Sequence, residues 1–110
     1  MNEVLRWPAP FDPERLAGYE PLAAALRERG FDATADDGGH ANYGIFIKLT
    51  SNPVLDNVFL GCAEGSWGMD ITDQEGYAAG GEGLDLNEDA ELGDVLEQTI
   101  RIIRGINAVD

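Results

Sequence analysis

Between residues 43 and 49 the apolar side chains fall on alternate positions. Tyr43, Ile45, Ile47 and Leu49 are separated by Gly44, Phe46 and Lys48. A two-residue period is that of a strand with one face turned to a core. The same period returns at Val58, Leu60 and Cys62, and again at Trp67, Met69 and Ile71. Shorter strands are predicted at 31–35 and 77–79. The segments between them are rich in turn formers: Asp36-Asp37-Gly38-Gly39, Ser51-Asn52-Pro53, Glu64-Gly65 and Asp73-Gln74-Glu75-Gly76. Strands this closely spaced pair as an antiparallel meander, because parallel neighbours need long crossovers.

The period changes to that of a helix at both ends of the chain. Leu22 and Leu26 share a face, Pro21 suits a first turn, and Gly30 after Arg27-Glu28-Arg29 is a stop signal. Asp12-Pro13-Glu14 marks an earlier start that Gly18 interrupts, so this region is one helix or two short ones. Near the C-terminus Leu92, Val95, Leu96, Ile100 and Ile103 keep the three-and-four spacing of a buried stripe. Acids precede that stripe and Arg101 and Arg104 end it, in keeping with the helix dipole.

These elements predict one α+β domain. An antiparallel meander of four or five strands is flanked by an N-terminal helix, or two short helices, and a C-terminal helix. The expected layout is an extended arm over 1–11, helix over 12–30, sheet over 31–79, a loop over 80–88 and a helix over 89–105. In the arm, Trp7 and Phe11 are expected to tuck against the core. With helices on one sheet face, the other carries Phe46, Lys48, Thr50, Phe59, Gly61, Gly68, Asp70 and Thr72. Two phenylalanines on such a face stand out.

The length of 110 residues and a hydrophobic fraction of 44% suit a single globular unit with its own core. The first residues show no secretory pattern, and no apolar stretch approaches a membrane span. One cysteine allows no internal disulfide. The expected compartment is cytoplasmic.

Charge alters the picture more. The chain holds 21 acids against 7 bases, a net charge of −14. Between residues 49 and 100 there is no Lys or Arg at all. A field of that sign repels phosphate backbones and anionic lipid, so direct nucleic-acid and membrane binding are disfavoured.

Candidate chemistry is thin. The run Asp85-Leu86-Asn87-Glu88-Asp89-Ala90-Glu91 has the alternating oxygens of a calcium loop. It has Ala90 where such a loop turns on glycine and Leu96 where its bidentate Glu belongs. Helix capping by Asp85 or Asn87 is the preferred reading. Asp36, Asp37 and His40 form loop sequence with no second histidine to complete a metal site. Cys62 is the only thiol available to His40, and its acidic surroundings disfavour thiolate. Ser51 and Ser66 lie in turn-like sequence without a nucleophile motif. Gly80-Gly81-Glu82-Gly83 lacks the Lys-Ser or Lys-Thr that completes a phosphate loop. No catalytic residue, metal ligand or cofactor site is therefore expected.

What remains is the acidic surface, which in its plainest reading serves solubility alone. Its segregation, and aromatics inside a charged rim, instead fit protein binding. The expectation is a non-enzymatic module that occupies a basic surface of a partner protein, as a nucleic-acid mimic does. That plan is shared, by charge and size only, with immunity proteins, antitoxin-like inhibitors and phage inhibitors of host defence. The expected contacts are Asp70, Asp73 and Glu75 near one turn, Glu88, Asp89, Glu91 and Asp94 at the helix start, and Phe46 and Phe59 as anchors. Two other classes stand beside it: a chaperone-like or assembly subunit that forms a homodimer, and a small enzyme using Asp/Glu acid–base chemistry.

Overall fold

The computed structural model describes residues 17–37, 43–50, 52–63 and 65–108. The expected arm, the helix start at Asp12, and His40 and Ser51 lie outside them. Within them the chain forms an α+β fold: helix α1 (Glu20–Glu28), strands β1 (Asp32–Asp37), β2 (Tyr43–Lys48), β3 (Leu55–Ala63), β4 (Ser66–Asp73) and β5 (Ala78–Asn87), then helix α2 (Leu92–Ala108). The strands make one antiparallel sheet in sequence order, β1-β2-β3-β4-β5. No described helix is long and apolar enough to cross a membrane.

Helix α1 carries Pro21 in its first turn and buries Leu22, Ala23 and Leu26. Its end is closed by two crossed backbone bonds. The Phe31 amide donates to Leu26 O at 3.1 Å and the Gly30 amide to Arg27 O at 3.0 Å. This closure needs a left-handed residue, and Gly30 supplies it with φ 93°. Phe31 then packs against the core.

The alternating residues interlock across the sheet. Ile45 pairs with Leu60 and Leu60 with Met69; Ile47 pairs with Val58 and Val58 with Ile71. All six are buried, together with Trp67, Leu84 and, from α2, Val95, Ile100 and Ile103. Arg29, just after α1, pairs with Glu97 of α2 at 3.2 Å. Tyr19, just before α1, meets Trp67 edge-on at 5.8 Å, and its hydroxyl accepts the Cys62 amide at 3.3 Å.

Several local expectations need correction. First, residues 80–87 are not a loop: they are most of β5, the longest strand. Its glycines show no apolar alternation, so the period is silent, yet backbone pairing to β4 needs no side chains. The pairing is irregular at two points, between Ile71 and Thr72 and between Ser66 and Gly68. Asp85 sits near the second with φ 58°, a bulge that ends regular pairing at an edge. Second, α2 begins at Leu92 rather than 89 and continues to Ala108, past the expected end at 105. Residues 88–90 are a turn closed by the Ala90 amide on Asn87 O at 3.0 Å. Third, Asp85 and Asn87 belong to β5 and cannot cap a helix that starts at Leu92. Ser66 likewise opens β4 rather than lying in a turn.

Candidate functional site

Among the described residues nothing covers the sheet face opposite the helices. The central row on that face runs Thr34–Phe46–Phe59–Asp70–Gly81, each residue in register with the next. Phe46 and Phe59 are half-buried, with ring centroids 4.6 Å apart and planes tilted by 47°. Their burial comes from each other and from a neighbouring glycine. A Cβ on Gly44 would lie 2.8 Å from the Phe59 ring and 2.4 Å from Leu60 O. Glycine at 44 therefore lets Phe59 lie down across β2.

The next row is almost free of side chains. Gly61 pairs with Gly68, and Gly68 with Gly83. The result is a hollow of about 330 Å³, floored by peptide backbone that includes Glu82 O, with Phe59 at one side and Asp70 at its rim. Asp70 is exposed and, among the described residues, makes no ion pair. The nearest cation along this face, Lys48, is already paired with Asp56 at 2.5 Å. Lys48 holds the Asp56 carboxyl below its ordinary range by hydrogen bonding, with help from Asn57.

The proposed acids do not gather in one place. Asp73 and Glu75 lie at the β4–β5 turn, close to Asp70 along the strand. Glu88, Asp89, Glu91 and Asp94 lie beyond the other end of β5, beside the β3–β4 turn, where the Glu88 amide donates to Gly65 O at 2.9 Å. The length of β4 separates the groups, roughly 25 Å at the usual rise per strand residue. Asp73 is also committed to its own turn. Its Oδ1 accepts the amides of Glu75 and Tyr77, both at 2.9 Å. It shapes the turn, whereas Asp70 and Glu75 point their charge at solvent.

Cys62 is half-buried next to the hollow. Burial raises its thiol pKa, and the negative charge of Glu88 adds to the shift. Both effects oppose thiolate, the nucleophilic form. Among the described residues no three His, Cys, Asp or Glu side chains come together as metal ligands do.

Leu92, expected in the buried stripe of the C-terminal helix, is instead exposed at its first residue, and two further exposed apolar residues escaped the sequence reading. Tyr77 is 68% exposed and Val54 is 64% exposed. They flank one hydrogen-bonded tip: the Gln74 amide donates to Val54 O and the Asp73 amide to Tyr77 O, both at 2.9 Å. The Gln74 side chain adds a bond to Leu55 O at 3.0 Å, and Asn52 Oδ1 accepts the amides of Val54 and Leu55. The signal was there in part: an apolar residue directly after Asn-Pro, and a tyrosine directly after the turn glycine, are positions that turns push outward.

No protein-family model, no curated protein and no solved structure matches this chain.

Proposed function

We propose that this chain is a non-enzymatic protein-binding module whose uncovered sheet face and β4–β5 turn occupy a basic surface of a partner protein, as an inhibitor. One observation carries this reading. A tilted Phe46–Phe59 contact stands in register with Asp70, which pairs with no described cation, on a face that no described helix covers. Apolar side chains left half-exposed beside uncompensated carboxylates suit an interface with an aromatic centre and a charged rim. The net charge of −14 would steer a cationic partner before contact. The acids at 88–94 contribute to that field from a distance rather than to the contact itself.

The test is kinetic. The partner is captured on immobilised full-length chain, eluted with salt and identified, and its association rate is then measured. The variant carries Asp70→Lys, Glu75→Lys and Glu82→Lys; Asp73 is left alone because it holds the turn. Association at low salt should slow at least tenfold, a typical scale for lost steering. Phe59→Ala should act mainly on dissociation. An unchanged association rate in the triple variant would overturn the reading. Capture of nothing but the chain itself would replace it with the homodimeric assembly reading.

A further inference from the structure

Strand glycines cost stability, and each has a local reason or marks a place where something else approaches. Gly44 has its reason in Phe59 and Leu60 O. Gly61 and Gly68 have one too, since a Cβ would meet Tyr43 O at 3.2 Å and Glu82 O at 3.3 Å. Gly83 has none: its φ is not left-handed, and a Cβ there would meet nothing within 4 Å. A β-branched residue would fit and would suit the strand better. What its absence keeps is clearance above the hollow.

We propose that this hollow receives the guanidinium of an arginine presented by the basic partner. The proposal rests on the protein-binding reading above and names what that site grips. The hollow's volume is near the lower end of ligand-binding hollows, enough for one side chain rather than a folded segment. Its floor is flat peptide backbone, which suits a planar group. Phe59 offers a ring beside it, and the guanidinium stacks on aromatic faces where a hydrated ammonium does so less well. Asp70 supplies the complementary charge. Its Oδ1 lies 3.6 Å from where a Gly81 Cβ would stand, so the carboxylate leans over the hollow's rim. No Lys or Arg lies between residues 49 and 100 to neutralise this carboxylate. The occupant is therefore planar and cationic, and arginine is the side chain with both properties.

The experiment is an amide NMR titration of the full chain with two capped tripeptides of equal charge, one of arginine and one of lysine. The arginine peptide should move the Gly61, Gly68, Gly81 and Gly83 amides saturably and bind at least fivefold more tightly than the lysine peptide. Gly83→Val, which leaves charge unchanged, should weaken arginine binding at least tenfold while Tm stays level or rises. Asp70→Asn should weaken it without filling the hollow. Equal binding of the two peptides, or undiminished binding by Gly83→Val, overturns the proposal. So does a concentration-dependent dimer that Gly83→Val abolishes, which would give the hollow to a second copy. No binding by the full chain, together with a lower Tm in Gly83→Val, would give it to the chain's own first sixteen residues and also overturn the proposal. The two readings fail separately. A captured basic partner whose affinity ignores Gly83→Val leaves the module standing without its arginine. A saturable arginine site with no basic partner does the reverse.

Discussion

At the scale of single residues, the most informative side chains are those whose chemistry and surroundings disagree. Thr99 lies fully buried in α2 with its hydroxyl unpartnered. A buried polar group without a bond carries a desolvation cost of roughly 1–3 kcal/mol. Thr99→Val keeps the shape and removes the hydroxyl. It should raise stability by about 1 kcal/mol, a gain of about 4–8 °C in Tm, read by thermal melting. Cys62 gives a second residue-scale expectation. With its pKa raised from the ordinary 9.0 by burial and by Glu88, it should react slowly with iodoacetamide at neutral pH. The midpoint of its rate against pH should lie above 9.0 and move down in Glu88→Gln; a midpoint that ignores Glu88 would show that burial acts alone. Asp56 shows the opposite sign. Its pKa is lowered in the fold, chiefly by the Lys48 hydrogen bond. Its contribution is therefore present above the unfolded value and lost as pH falls through the folded one. The stability gap between the wild type and Asp56→Asn should close below pH 3.8, the ordinary carboxyl value, in denaturant titrations across that range.

At the scale of elements, legibility followed how much each element depends on side chains. Strands β2, β3 and β4 bury every second residue, so their alternation was plain in the sequence. Helix α1 had its proline start and glycine stop. Strand β5 was legible only at its start, Ala78-Ala79; the glycine-rich segment after them pairs through backbone alone, and buried Leu84 with half-buried Leu86 is too short an alternation to have marked the rest as strand. The candidate site divided in the same way. Phe46, Phe59 and Asp70 could be placed on one face by counting residues along strands. Their assembly into one row, and the empty row beside it, depends on register, which no single strand contains. Nor could the sequence show that Asp73 is spoken for by its own turn. That turn yields a prediction at this scale. Asp73→Ala removes the acceptor for two backbone amides and should cost roughly 1–3 kcal/mol. Asp73→Asn, with the same change of charge, keeps an acceptor oxygen and should cost less than half as much by urea unfolding. Equal losses would mean that charge, not the turn bonds, is what matters at this position.

At the scale of the whole molecule, the question is whether 21 acids help or hinder the fold that displays them. The three ion pairs among the described residues are Arg27–Glu20, Arg29–Glu97 and Lys48–Asp56, and all lie largely on the surface. Exposed pairs contribute roughly 0–1 kcal/mol each and are screened by salt. Against them stands the mutual repulsion of a −14 chain, which favours expansion over the compact state. The repulsion sums over many pairs, while the attraction is confined to a few, so screening should relieve more than it removes. Raising sodium chloride from about 10 mM to about 0.5 M shortens the Debye length from about 30 Å to less than 5 Å, below most distances between these carboxylates. Tm should therefore rise with salt, and rise less in the Asp70, Glu75, Glu82 triple-lysine variant, whose net charge is reduced. A Tm that falls with salt would mean that the ion pairs outweigh the field. A rise places the acidity as a cost to the fold, and a costly surface that is also segregated is better explained by what it meets than by solubility.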